Sequence, residues 1–254
     1  MRSIWDGSIN FGLVNIPVRM YSGSDKHQGL DLDMLHKKDN SPINYARICQ
    51  KEHHEVPFNE IVKGYQYAKG KYVVLDNDDF EKANIHKTKN IEIAQFVKED
   101  EIDSRYFEKP YYLEPEEKSE STYILLREAL KKSSKVALAK YVLHGYENLA
   151  VIKPVGKALV LNQMRWPADV RELGQLNFPS GTAPASELKM ALSLIDQLSK
   201  PFIAEDWHDT YTEELQDIIE QKTKGKAVKP KGEPSRPTDV KDIMQSLKAS
   251  LKKK

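Results

Sequence analysis

The sequence has little of what several classes of protein require. A single cysteine, Cys49, stands among 254 residues, so no disulfide can form within the chain. No apolar run approaches the roughly 20 residues of a membrane-spanning helix, and no apolar signal core opens the chain. No glycine-rich phosphate loop of the Walker type occurs, so we expect neither ATP hydrolysis nor a nucleotide cofactor. These absences favour a soluble, cytoplasmic protein.

Net charge is almost absent as well. The 39 Lys and Arg residues face 38 Asp and Glu residues, which leaves a formal charge of +1. A nucleic-acid-binding protein needs its basic residues on one surface rather than a basic total, so this sum excludes no partner. With 39% hydrophobic residues, the chain can bury one sizeable core with solvated extensions, or two small domains.

No residue pattern gives strong support to a catalytic or metal site. Cys49 lies near His53 and His54, but a tetrahedral zinc site needs four well-spaced ligands, and nothing orients a histidine towards the thiol. Two acidic runs, at residues 99–103 and 114–117, could supply a nuclease metal site, although such runs are commonly solvated loops. We therefore expect no metal and no enzymatic activity, and keep a metal-dependent nuclease as one alternative.

Residues 4–21 carry the clearest structural pattern. Apolar and polar residues alternate, and the parity changes at Leu13, beside Gly12. Alternation is typical of a strand with one buried face, and a parity change requires a bulge or a tight bend. Pro17 lacks a backbone donor and is expected at an edge or in the bend. The pattern predicts a strand pair that buries Trp5, Ile9, Phe11 and Leu13 on one parity and Val14, Ile16, Val18 and Met20 on the other.

The middle of the chain predicts more β structure around one helix. Residues 32–49 predict a long hairpin that turns at 39–42 and has few apolar residues behind it, and residues 65–75 predict a second hairpin with a basic turn. Three closely spaced strands at 136–143, 149–153 and 158–164 are typical of an antiparallel meander or barrel. The helix, at 119–133, is expected to be capped by Ser119 or Ser121 and to bury Thr122, Leu125, Leu126, Ala129 and Leu130.

The C-terminal part changes character. After a proline-containing connector at 165–185, helical periodicity begins at Ser186 and returns after Trp207. Residues 222–237 are rich in lysine, proline and glycine, which predicts a flexible linker. Residues 238–251 place apolar residues on one helical face before three terminal lysines. We expect this basic tail to bind nucleic acid or an acidic partner, with a membrane surface as the competing hypothesis.

Basic residues gather around the two predicted hairpins and in the linker. Tyr45, Tyr65, Tyr67 and Tyr72 are interleaved with the hairpin cations. Such a ribbon can follow the phosphate backbone through counterion release without reading base sequence, although a solvated β surface shows the same composition. The predicted DNA-binding residues are Arg19, Lys37, Lys38, Arg47, Lys51, Lys63, Lys69 and Lys71, with Lys224, Lys226, Lys229 and Lys231 in the linker.

Several motifs, in order, resemble those of the prokaryotic Ku family, the DNA-end-binding proteins of non-homologous end joining. The longest is IWDGSINFGLVNIPV at residues 4–18. The resemblance extends from about residue 2 to about residue 222, with a family-like tail after it. The further motifs are EIVKGY (60–65), GKYVVL (70–75), IDSRYFEKPYYL (102–113), LLREAL (125–130) and KVALA (135–139). Relatives often have a second cysteine where this chain has Gln50-Lys51-Glu52, which removes the case for a shared metal knuckle.

The resemblance implies an α+β chain that forms a homodimer. Its core, residues 1–185, would be an antiparallel β-barrel with an inserted arm, about residues 25–75, that joins its twin in a preformed ring around duplex DNA. Residues 186–222 resemble the helical region that engages the ATP-dependent repair ligase, ligase D, and residues 223–254 the variable basic tail. The implied ligase contacts are Trp207, His208, Asp209, Tyr211 and Leu215. We therefore expect a nucleoid-associated, non-enzymatic clamp; a general basic duplex- or RNA-binding module without a ring is the alternative.

Overall fold

The computed structural model of the chain describes residues 1–25, 30–83 and 89–226. The described residues form two compact units: residues 1–25, 33–83 and 89–172 make up the first, and residues 30–32 and 173–226 make up the second. The predicted terminal helix at 238–251 lies outside the described residues, as does the predicted linker from residue 227 onwards.

The first unit contains a closed barrel of seven strands. The elements of this unit are β1 (Trp5–Phe11), β2 (Val14–Ser22), β3 (Lys63–Ala68), β4 (Lys71–Leu75), α1 (Asn77–Ala83), β5 (Asn90–Val97), β6 (Phe107–Pro115), α2 (Glu120–Ser133), β7 (Val136–Leu143), β8 (Tyr146–Val155) and β9 (Ala158–Met164). The barrel order is β1-β2-β6-β9-β8-β7-β5, antiparallel throughout except where β1 and β5 pair in parallel, and β3 and β4 form a separate two-stranded sheet. This confirms the predicted antiparallel barrel.

The opening stretch forms the hairpin β1–β2, as its alternation predicts. Gly12 and Leu13 make a two-residue turn, and Gly12 has a φ of 60°, a conformation that glycine adopts without steric cost. Leu13 is fully exposed at this turn and Val14 is 37% exposed, so their predicted places on a buried face are wrong. The parity change is the hairpin turn itself. The side chains that this pair buries completely in the barrel are Ile9, Ile16, Val18 and Met20.

Helix α2 packs one face into the same core. The buried residues of the helix are Tyr123, Leu126 and Leu130. The predicted stripe included Leu125 and Ala129, which are both exposed, and omitted Tyr123, so its orientation is partly wrong. Ser119 precedes the helix as predicted, but its hydroxyl does not cap it and instead donates to the Glu116 carbonyl at 2.7 Å.

The arm is less regular than predicted. Between residues 33 and 56 there are two isolated bridges, Leu35↔Pro42 and Ile48↔Glu55, in place of the predicted long hairpin. Each bridge borders a tight six-residue loop, at 36–41 and 49–54. In both loops the first N–H donates to the sixth carbonyl, at 2.8 and 2.9 Å, and the fifth residue has a φ near 57°. Few apolar residues support this segment, and no side chain from residue 33 to residue 75 is buried. The second predicted hairpin is confirmed as β3–β4.

The second unit contains α3 (Ala185–Leu198) and α4 (Thr210–Thr223). Helix α4 begins where Asp209 accepts a hydrogen bond from the Thr212 N–H at 3.1 Å, and it ends before Gly225, which has a φ of 69°. No described residue of this unit is buried. Within the described ranges, no helix has the length and apolar character needed to cross a membrane.

Candidate nucleic-acid interface

The seven predicted DNA-binding residues of the arm are all exposed. Lys37 and Lys38 share the loop at 36–41, and Lys51 lies in the similar loop at 49–54. Lys69 belongs to the turn that joins β3 to β4, and Lys71 begins β4. The remaining two are Arg47, which precedes the second loop, and Lys63, the first residue of β3. Turns and strand ends thus present these cations to solvent.

These seven cations have no carboxylate partner among the described residues. From residue 33 to residue 75 there are seven Lys and Arg residues and five Asp and Glu residues, and the hairpin at 63–75 has three lysines and no acid. Within the described part of the chain, none of the seven makes an ion pair with a carboxylate. Two carboxylates of this segment contact histidines instead, Asp39 with His36 at 3.2 Å and Glu52 with His54 at 3.3 Å. The carboxylate of Asp39 also accepts hydrogen bonds from Ser41, which lower the pKa of Asp39.

Two of the arm cations contact aromatic rings. The guanidinium carbon of Arg47 lies 5.2 Å from the centroid of the Phe58 ring, and the Lys63 Nζ lies 4.8 Å from the centroid of the Phe80 ring. Both distances are within the range of a cation–π interaction. Sequence reasoning missed Phe58 and Phe80, because no regular spacing connects either ring to its cation.

The hairpin β3–β4 exposes apolar side chains on both of its faces. Cross-strand partners share a face, so Tyr65 lies beside Val73, whereas Tyr72 lies on the opposite face beside Gln66. Their exposed fractions range from 46% for Val73 to 65% for Tyr65. An isolated two-stranded sheet is marginally stable in water, and uncovered apolar side chains favour a partner surface. The hairpin therefore has the properties of an interface.

Arg19 does not belong to this group of cations. It lies on β2 of the barrel, where its Nε is 3.5 Å from the Glu116 carboxylate, and that carboxylate raises the pKa of Arg19. Its strand partner on β6 is Glu114, which accepts a hydrogen bond from Tyr21 at 2.6 Å. Acidic neighbours therefore compensate the charge of Arg19.

The linker cations are only partly described. Lys224 lies just after α4 and pairs with Glu220 at 3.2 Å, and Lys226 is the last described residue. The predictions for Lys229 and Lys231 fall outside the described residues. That the linker lysines bind DNA therefore stays a prediction.

The residues expected to contact a ligase lie at the start of α4. Trp207 and Tyr211 are 75% and 72% exposed, His208 is exposed, and Leu215 is half-buried. Asp209 has a structural role as the N-cap of the helix, because its second carboxylate oxygen accepts from the Thr212 hydroxyl at 2.6 Å. The exposed aromatic side chains are available to a partner.

The two acidic runs do not form a metal site. Glu99 pairs with Lys153, and Asp103 accepts two hydrogen bonds from the Arg105 guanidinium at 3.0 Å, which lower the pKa of Asp103. In the part of the chain that the structure describes, no group of three or more His, Cys, Asp or Glu side chains is arranged to hold a metal ion. This includes the Cys49 loop with its two histidines.

Comparison with known families gives one match that covers most of the chain. The family model described as Ku: Ku70/Ku80 beta-barrel domain matches residues 10–190. The matched range contains the end of β1, all the other barrel strands, the arm and α2.

Curated proteins with the same name are similar over nearly the full chain. A protein of Opitutus terrae named "Non-homologous end joining protein Ku" is 40% identical over 255 residues, covering 99% of this chain and 91% of that protein. A protein of the same name from Pseudomonas aeruginosa is 37% identical, with 99% and 88% coverage. Another from Bacillus subtilis is 36% identical, with 99% and 82% coverage.

Proposed function

This chain belongs to the Ku family, and on that premise we propose that it binds the ends of double-stranded DNA in the non-homologous end joining of double-strand breaks. The observation that carries the proposal is the arm, where seven exposed cations lack a carboxylate partner among the described residues. Cations of this kind neutralise phosphates and bind DNA without base specificity. The names of the relatives support the same role.

The proposed assembly is a homodimer in which two arms close a ring around DNA. The support is the hairpin β3–β4, whose faces carry exposed tyrosines and valines that a second copy would cover. A closed ring gives end specificity by topology, because a duplex can enter it only from an end. Phosphate contacts then supply affinity, and no base needs to be read.

A gel-shift experiment with one plasmid in two forms tests the DNA-binding proposal. The relaxed closed circle and the linearised plasmid are compared at moderate salt with magnesium present. We expect binding to the linear form alone, no cleavage, and more discrete bands as the linear duplex becomes longer. Equal binding to both forms would refute the ring, and cleavage that a chelator abolishes would favour a nuclease instead.

We further propose that the second unit recruits an ATP-dependent ligase of the ligase D type. Its described helices bury no side chain, and the exposed apolar residues include Leu188, Leu192 and Ile195 of α3 as well as Trp207 and Tyr211. Exposed apolar patches of this kind are typical of protein–protein interfaces, in which aromatic residues contribute much of the binding energy.

Substituting two exposed aromatic residues tests the ligase proposal. The double variant Trp207→Ala and Tyr211→Ala should bind DNA ends normally but lose stimulation of the ligase in an end-joining assay. Phe178→Ala is a matched control, because Phe178 is 64% exposed in the same unit but lies outside both helices. Full stimulation by the double variant, or equal loss in the control, would place the partner site elsewhere.

A further inference from the structure

We propose that Phe58 and Phe80 are positioning residues for DNA binding, because their rings hold the side chains of Arg47 and Lys63 ready for phosphate contacts. This inference rests on the proposed DNA-binding role of the arm and assigns part of its affinity to two residues that do not carry charge. The evidence is the pair of ring contacts, at 5.2 Å for Arg47 with Phe58 and 4.8 Å for Lys63 with Phe80.

The local backbone places both rings. The Arg47 carbonyl accepts from the Val56 N–H at 2.7 Å, which ties the segment before the second loop to the segment after it. Phe58 then begins a short 3-10 turn that Pro57 precedes. Phe80 belongs to α1, whose start is fixed by the Asp79 N–H donating to the Asp76 carboxylate at 2.9 Å.

A ring partner suits a phosphate-binding cation better than a carboxylate does. A carboxylate would neutralise the charge and would have to be displaced before a phosphate could bind. A ring contacts the cation through its π face and leaves the N–H groups of an arginine or lysine free to donate. It also restricts a long, flexible side chain, so that less conformational entropy is lost when the phosphate binds.

Several basic residues elsewhere in the first unit contact a carboxylate, unlike Arg47 and Lys63. Five Lys or Arg residues there contact carboxylates, whereas within the described residues Arg47 and Lys63 contact rings and no carboxylate. Ring contacts also occur on the barrel, since Lys109 lies 5.4 Å from the Tyr111 ring centroid and Lys140, which has a carboxylate partner as well, lies 5.5 Å from the Trp166 ring centroid. The five pairs are Arg19–Glu116, Arg105–Asp103, Arg127–Glu128, Lys140–Glu147 and Lys153–Glu99.

A double-mutant cycle on Arg47 and Phe58 tests the inference. The probe is a fluorescent blunt-ended duplex titrated with the full chain in an anisotropy assay. Phe58→Leu keeps an apolar side chain but removes the ring, and should weaken binding about twofold to fivefold, the range of an exposed cation–π contact. The same change in an Arg47→Gln background should have no further effect, because the ring acts through the cation. Phe58→Tyr should restore wild-type affinity.

The salt dependence adds a readout that a purely structural role would not reproduce. Phe58→Leu should leave the slope of log affinity against log salt unchanged, since Arg47 still neutralises its phosphate. Arg47→Gln should reduce that slope by about one unit. Phe80→Leu and Lys63→Gln should behave in the same way. Tyr146→Leu is the control, because it removes an exposed aromatic ring from the barrel, outside the arm.

The possible outcomes separate this inference from the proposed function. If Arg47→Gln and Lys63→Gln both bind like wild type, the DNA-binding role of these cations is refuted. If they weaken binding while Phe58→Leu and Phe80→Leu do not, the ring inference alone is refuted. Equal weakening by Phe58→Leu with and without Arg47 would also refute it, because the ring would then contact DNA or a partner directly. Tighter binding by Phe58→Leu would show that the ring competes with phosphate.

Discussion

Replacing Tyr123 with Phe removes one hydroxyl group and leaves two buried backbone groups of the barrel without a partner. The Tyr123 hydroxyl donates to the Leu113 carbonyl at 2.6 Å and accepts from the Leu159 N–H at 2.6 Å. Leu113 and Leu159 face each other as the last pair of the β6–β9 ladder. The hydroxyl therefore lies between the two strands and joins α2 to both of them.

The expected loss of stability follows from those two groups. A buried donor or acceptor left without a partner costs about 1–3 kcal/mol, so two would cost about 2–6 kcal/mol. Because the pair ends the ladder, the strands can move together and recover part of this loss. We expect Tyr123→Phe to lower the free energy of unfolding by about 2–4 kcal/mol, which is a large fraction of the stability of a typical domain.

Urea unfolding followed by fluorescence and circular dichroism measures this loss. Trp5 is a suitable reporter of the barrel, since its indole N–H donates to the Val142 carbonyl at 3.0 Å. The matched control is Tyr112→Phe on the same strand, because Tyr112 is 42% exposed and its hydroxyl has no hydrogen-bond partner among the described residues. A loss below about 1 kcal/mol, or a loss equal to that of the control, would contradict the proposed role of the hydroxyl group.

Three further predictions concern DNA binding and pH. Changing Lys37, Lys38 and Arg47 together to Glu should abolish duplex binding in a gel shift while the circular dichroism spectrum stays unchanged; retained affinity at moderate salt would refute the arm assignment. Deleting residues 227–254 should reduce the slope of log affinity against log salt, and an unchanged slope would mean that these residues do not contact DNA. Burial raises the pKa of Tyr141 above its ordinary value near 10. The preference of the folded state for a neutral Tyr141 therefore stabilises the protein fully below about pH 10, and this stabilisation is lost as the pH rises further. Between about pH 8 and pH 11, the free energy of unfolding of Tyr141→Phe should fall less than that of the wild type.

The barrel strands could be predicted from the sequence because each strand shows a pattern within its own few residues. Alternation at residues 4–21 and the short spacing of β7, β8 and β9 define strands joined by tight turns. Closure of the barrel depends on the parallel pairing of β1 with β5 across about 80 residues, and no local pattern encodes such a pairing. For this reason the barrel class was predicted but its strand order was not.

The arm and the buried face of α2 show where sequence patterns are insufficient. The segment at 33–56 alternates like a hairpin, but with so few apolar residues behind it the backbone forms two loops closed by their own hydrogen bonds. On α2, the predicted stripe contained Thr122, whereas the structure buries its neighbour Tyr123. The Tyr123 hydroxyl bonds to the backbone of Leu113 and Leu159, and the spacing of apolar residues along the helix does not reveal such a contact.

The net charge of +1 does not show which basic residues have carboxylate partners and which do not. On the barrel, some basic side chains contact carboxylates, as Arg19 does with Glu116 and Lys153 with Glu99. In the arm, the described cations have rings or solvent as neighbours instead. Exposed ion pairs add little to stability, but each one takes a barrel cation out of the set that can neutralise a phosphate, whereas the seven arm cations have no carboxylate partner among the described residues. A chain with almost no net charge can therefore bind a polyanion at one place, and the salt dependence of that binding should respond to substitutions in the arm and not to Arg19→Gln on the barrel.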